Sequence, residues 1–242
     1  MESVPAAWLI VAALLAGLVR GFSGFGSAMV FVPLATFAVD PASALVLLFL
    51  TDLVAAVPLV LPALKRCDWR EVAPLALGAS IMTPVGVWIL LTLPDEPLRW
   101  GICLAVLVAV LLMAAGWRYQ RRLGPVASVG VGGLSGLLGG IAGLYGPPVI
   151  LLWLGASRNA ISVRTNIVAF FASLTLIAGA TYAANGMFTQ ALALQALWLV
   201  PLYGLPIWLG ARAFRRSSDA LFRWVGLVIC GAAAIAALPL WR

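Results

Sequence analysis

Two glycine-rich clusters carry the densest chemistry in the chain. The first is Gly21-Phe22-Ser23-Gly24-Phe25-Gly26, directly preceded by Arg20. The second is Gly139-Gly140-Ile141-Ala142-Gly143-Leu144-Tyr145-Gly146-Pro147-Pro148. A helix that restarts after such a cluster presents unpaired N–H groups and the positive end of its dipole, an arrangement suited to an anion. Restarts are expected near Gly26 and at Pro147, because proline fits the first helical turn, where its missing N–H would be unpaired anyway. Ser23 and Ser135 add hydroxyl donors. Thr165 and Asn166 can hydrogen-bond an oxyanion. The expected binding set is therefore Arg20, Gly21, Ser23, Gly24, Phe25, Gly26, Ser135, Gly139, Gly140, Gly143, Tyr145, Gly146, Pro147, Thr165 and Asn166.

Three charges near these clusters have two readings each. Arg20 either faces the ligand or snorkels to an interface. Asp52, with Thr51, is the only carboxylate well inside an apolar run; it either accepts a coupling proton or pairs with Arg20 or a neighbouring helix. Arg164 either gates the site or anchors its helix at the cytoplasmic surface. Single glycines such as Gly132, Gly136 and Gly140, spaced four apart, also fit close helix packing.

The elements that must position these residues follow from composition. Of 242 residues, 64% are hydrophobic and 10% charged, and the mean hydropathy is +1.10. Soluble domains carry roughly 25% charged residues, so this chain cannot clothe a soluble globule and reads as an all-α polytopic membrane protein. Apolar runs cover residues 6–20, 25–38, 42–64, 72–92 and 98–117, then 126–138, 146–157, 165–184, 188–210 and 220–240. In each half the last three are long enough to span and the first two are short and interrupted. Residues 6–19 are preceded by Glu2 rather than by basic residues and read as part of the mature fold.

Internal similarity points to two copies of one unit, residues 6–117 and 125–240, in a single membrane domain covering 1–242. Gly21-Phe-Ser-Gly24 resembles Gly133-Leu-Ser-Gly136, and Asp95 to Trp100 resembles Asp219 to Trp224. The 15 Lys and Arg residues decide the topology. If each glycine cluster crosses once, Lys65, Arg66, Arg70, Arg118, Arg121, Arg122 and Arg242 oppose Arg99, Arg158, Arg164, Arg212, Arg215, Arg216 and Arg223, with no positive-inside bias. If each cluster goes in and comes back, only Arg99 and Arg242 oppose all the others, Arg20 aside. That second arrangement gives each half an odd number of crossings. The expected fold is then two inverted repeats, each a glycine-rich broken or re-entrant helix pair followed by three transmembrane helices. Both termini lie on the non-cytoplasmic side of the cell (inner) membrane. Inverted repeats with paired broken helices are an architecture of secondary transporters.

Other signals exclude classes. There is no histidine, no phosphate-loop lysine motif, no clustered metal-ligand set and no nucleophile with a base, so no metal, cofactor, ATP hydrolysis or enzymatic reaction is expected. Cys103 and Cys230 sit inside spans, and Cys67 in a basic loop. Trp8, Trp100, Trp117, Trp224 and Trp241 fall near run ends, as an aromatic belt does. The basic excess belongs to cytoplasmic loops, so the expected partners are a small anion and the lipid bilayer and not nucleic acid; a homo-oligomer is left open.

The two clusters, each reaching a proline (Pro33-Leu34 and Pro147-Pro148), and Val163-Arg164-Thr165-Asn166 after the second, resemble the sulfite exporter TauE/SafE family of membrane transporters over nearly the whole chain. The chain departs from the commoner pattern at Ser27-Ala28 and in Gly143-Leu-Tyr-Gly146-Pro-Pro. The resemblance implies movement of small anions, typically sulfite, sulfonates or sulfoacetate-like molecules, in either direction. The leading expectation is a secondary transporter working by alternating access. The alternative is an anion channel with the same breaks as a static filter.

Overall fold

The computed structural model describes residues 3–55, 57–115, 124–155 and 160–214, with 228, 231, 232, 234 and 235 near the C-terminus. Most of the run expected at 220–240 therefore lies outside the described residues, including Arg223, Trp224, Cys230 and Trp241. So do Trp117, Arg118, Arg121, Arg122, Arg158, Arg215, Arg216 and Arg242. Every regular element described is an α-helix: α1 (Ser3–Ser23), α2 (Ser27–Ala35), α3 (Pro41–Ala55), α4 (Val57–Arg66), α5 (Trp69–Thr92), α6 (Asp95–Ala114), α7 (Pro125–Ala142), α8 (Gly146–Gly155), α9 (Ala160–Ala184) and α10 (Gln190–Phe214).

α5, α6, α7, α9 and α10 are long and apolar enough to cross a membrane. α5 shows how the sequence divides the two environments. Its Leu77, Ile81, Val85 and Trp88 recur every three or four positions and are exposed, while Leu75, Ala79, Thr83 and Val87 on the opposite face are buried. An exposed apolar stripe at helical spacing is a lipid-facing surface.

The run at 42–64, expected as one span, is not straight. Its axis turns by 77° between Pro41–Ala55 and Val60–Arg66. Pro58 lies in that interval and has no N–H to donate back to the last turn of α3. Asp52 accordingly lies in the last turn of α3 rather than in the middle of a span.

The breaks are narrower than the glycine clusters. α1 continues through Gly21 to Ser23, and α7 through Gly139 and Gly140 to Ala142, leaving Gly24-Phe25-Gly26 and Gly143-Leu144-Tyr145 non-helical. Gly24, Gly26 and Gly143 have φ of 76°, 85° and 72°, which an L side chain adopts only with strain. The N–H of Gly24 donates to the Arg20 carbonyl and that of Gly143 to the Gly139 carbonyl, each at 2.8 Å. The residue in the second half with the conformation of Gly24 is thus Gly143, seven positions beyond the Gly136 that motif matching pairs with it.

Glycines inside the helices serve a different purpose. A Cβ on Gly132, Gly136 or Gly140 of α7 would run into α5 backbone at Leu75, Ala79 or Thr83, and one on Gly78 or Gly86 of α5 would run into α7. Gly17 and Gly21 of α1 lie in the same way on Tyr203 and Ile207 of α10. α5 with α7 and α1 with α10 are the two most extensive helix pairings among the described residues. In lipid no hydrophobic force drives helices together, so close backbone approach over small residues holds these pairs.

Candidate functional site

Arg20 is carried to the first break by the last turns of α1. Its Nε and Nη2 donate to Asp52 Oδ1 and Oδ2 at 3.1 and 2.9 Å, and its Nη1 donates to the Gly24 carbonyl at 2.5 Å. Tyr203 of α10 donates its hydroxyl to Asp52 Oδ1 at 2.6 Å, and Ser27, the first residue of α2, stands within reach of the same hydroxyl. The guanidinium carbon lies 4.8 Å from the Phe171 ring centroid, a cation–π contact with α9. The Arg20 side chain is 4% exposed and that of Asp52 25%. Of the readings open for these two residues, the structure contains the pair. It is bidentate, and every Arg20 nitrogen is turned to the carboxylate or the break, as a charge removed from water requires.

At the second break Ser135 donates its hydroxyl to the Tyr145 carbonyl at 2.5 Å, and the Tyr145 ring lies so close over Gly139 that a Cβ there would overlap it. Ser135 and Gly139 thereby fix Tyr145. Its hydroxyl is buried beside those of Thr83 and Tyr182 and has a geometry that makes a hydrogen bond to neither.

The two breaks meet. Phe25 packs against Gly146, the first residue of α8, and Ala28 of α2 packs against Gly143. Between them is a cavity of about 80 Å³ lined by Ser27 and Ala28 of α2, Gly143 and Tyr145 of the second break, Leu45, Leu48, Phe49, Asp52 and Leu53 of α3, and Phe171, Leu174, Thr175, Ala178 and Tyr182 of α9. Such a volume holds several waters or one small oxyanion. The N-cap of α2 is Gly26, whose lack of a side chain leaves the first-turn N–H groups without a side-chain acceptor there. Asp52, Gly143 and Tyr145 are the sequence-derived residues that line this space.

Other candidate residues occupy supporting positions. Gly21 and Gly140 face α10 and α5. Gly24 and Gly26 shape the first break, and Pro147 stands in the first turn of α8. Arg164 Nη2 donates to the Gly21 carbonyl at 2.8 Å, and its stem lies over Gly24; a cation at a helix C-terminus offsets the negative dipole end. Asn166 accepts from the Asp68 N–H at 2.9 Å and donates to Glu71 Oε2 at 3.3 Å, so it ties α9 to the start of α5 and lines no part of the cavity. Thr165 is likewise outside the lining, and for Ser23 only the backbone is described. Sequence reasoning missed Ser27, Phe171, Thr175, Tyr182 and Tyr203. The available signal was a polar or aromatic hydroxyl inside an apolar span, which needs a partner when buried.

Apolar helices long enough to span, packed around two glycine breaks that meet at a mainly apolar cavity carrying a few polar groups, define a multi-pass membrane protein. The chain belongs to the sulfite exporter TauE/SafE family, whose model matches residues 9–237. That is a family of transporters, not of enzymes. A probable sulfite/organosulfonate exporter TauE from Cupriavidus necator is 27% identical over 184 residues, covering 73% of this chain and 71% of the relative. No solved structure matches the chain.

Proposed function

We propose that the protein is a secondary transporter of a small anion, a sulfur oxyanion or organosulfonate, which binds in the cavity between the two breaks. The observation that carries this reading is the meeting of Ser27 and Ala28 with Gly143 and Tyr145 around one half-open cavity. The first turn of α2 supplies N–H groups and a positive dipole end, and Ser27, Tyr145 and Tyr182 supply hydroxyls, a set that suits an oxyanion; Thr175 already donates its hydroxyl to the Phe171 carbonyl. The name of the Cupriavidus necator relative agrees with that class.

An inverted repeat is supported by the exchange of partners: α1 packs on α10 while α7 packs on α5, with Gly24 and Gly143 as equivalent turning points. The topology in which the hairpins go in and return is supported by the Asp68–Asn166 hydrogen bond. That bond sets Lys65, Arg66 and Arg70 at the same end as Arg164, whereas single crossings would put them on opposite sides. Both termini are then non-cytoplasmic and the basic loops face the cytoplasm. Alternating access would rock one hairpin pair against the other.

The test is flux of radiolabelled sulfite or a sulfonate into proteoliposomes. Saturation, and stimulation by unlabelled anion on the opposite side, are expected of a transporter. Flux that rises linearly with concentration and lacks counterflow would instead identify a channel.

A further inference from the structure

Arg20 contacts two residues that line the cavity, Asp52 and Phe171, yet does not line it itself. Each of its three nitrogens donates to Asp52 or to the Gly24 carbonyl, and of the pair it is the carboxylate that lines the open space. An anion that enters meets Asp52 first. Resting on the anion-site reading above, we infer that the anion and Asp52 compete for Arg20, so that each anion enters together with one proton, which Asp52 takes up.

Charge conservation in a medium of low dielectric carries the inference. In the structure the cluster is neutral, Arg20 positive and Asp52 negative. An added anion leaves one uncompensated negative charge away from water, which is costly. If the anion takes Nε and Nη2 of Arg20 and the released Asp52 oxygen forms an O–H bond with a proton drawn from the bulk solution, where the buffer base that gave it up remains, the site is neutral again and nothing else in it changes charge. The groups facing Asp52 leave no other proton acceptor in this exchange: Arg20 from α1 remains a cation, and Tyr203 from α10 is a donor to the carboxylate. Tyr145 of the second break and Tyr182 of α9 line the same cavity as neutral hydroxyls, and α2 contributes only Ser27. Arg164 of α9 is engaged at Gly21. α3 contributes no other ionisable group to the lining.

The exchange also has a mechanical side. Arg20 bridges the left-handed residue of the first break to α3, and Tyr203 bridges α3 to α10. When Asp52 releases Arg20, α1 loses its ion pair to α3 while α2 stays packed on α3, which loosens one of the two contacts that hold α1 and α2 against it. Proton and anion are then linked reciprocally, each strengthening binding of the other.

Isothermal titration of the purified full chain with methanesulfonate, an anion of a strong acid with no proton of its own to exchange, tests this in two buffers of different ionisation enthalpy. The expected result is uptake of about one proton per anion, with affinity falling about tenfold per pH unit where Asp52 is ionised. Asp52→Asn, which keeps an oxygen for Arg20, should bind with no proton uptake and no pH dependence. Saturable binding by wild-type protein without proton uptake, or proton uptake that survives in Asp52→Asn, overturns the linkage and leaves the anion site standing. Absence of saturable binding overturns the site, and the linkage with it.

Discussion

Ala28, in the first turn of α2, and Gly143, the left-handed residue that ends α7, touch across the meeting point of the two breaks: a Cβ on Gly143 would stand 2.9 Å from that of Ala28. Gly143→Ala therefore meets two penalties, a left-handed backbone worth about 1–2 kcal/mol and a contact closer than side chains tolerate. The expected result is a lower melting temperature and reduced flux. Adding Ala28→Gly should recover the part due to the contact and not the part due to the backbone. A double variant no better than Gly143→Ala would mean that the two breaks do not meet here.

The ion pair gives a second expectation. Replacing one partner, Arg20→Leu or Asp52→Leu, strands a charge away from water and should cost about 3–5 kcal/mol. The double replacement should cost much less than the two single losses added together. Chemical or thermal denaturation in one detergent checks it; additive losses would show that the pair is not formed.

Tyr145 separates structural from ligand-directed roles. Its buried hydroxyl has no hydrogen-bond partner among the described residues, so Tyr145→Phe should leave the melting temperature unchanged or raise it. If that hydroxyl donates to the anion, apparent affinity falls by roughly tenfold or more, since hydrogen bonds to charged groups are worth about 1.5–3 kcal/mol. A loss of stability with unchanged affinity would assign the hydroxyl to packing.

How much of this was legible in the sequence depends on the range of each interaction. The helices follow closely from apolar runs, and the two turning points from glycine, because both are local properties. The kink after α3 was also local, written in Pro58, but a continuous apolar run masked it. Motif matching paired Gly24 with Gly136, since composition cannot tell a glycine that turns the chain from one that lets helices approach; Gly143 turns, whereas Gly136 and Gly140 pack. Asn166 looked like an anion ligand, and its use in holding α5 depends on a partner 98 residues away. Tyr203 and Tyr182 were hidden for the same reason: their partners come from other helices.

Cys67 reports sidedness. Burial pushes its thiol up from the ordinary range, so less thiolate exists at neutral pH and alkylation should be slower than for a free cysteine, accelerating as pH rises. With Cys103→Ser and Cys230→Ser as background, an impermeant maleimide should label Cys67 in inverted membrane vesicles and not in intact cells. Labelling in intact cells alone would reverse the proposed orientation.

The placement of the anion between the breaks is tested most directly by filling that space. Ala178 is 4% exposed and lines the cavity, so Ala178→Leu should occupy it without removing any polar group. Sulfite binding to the purified wild-type protein and this variant would be compared by calorimetry, with melting temperatures recorded alongside. Loss of binding in a variant that melts like wild type is expected; unchanged affinity would contradict an anion site in this cavity.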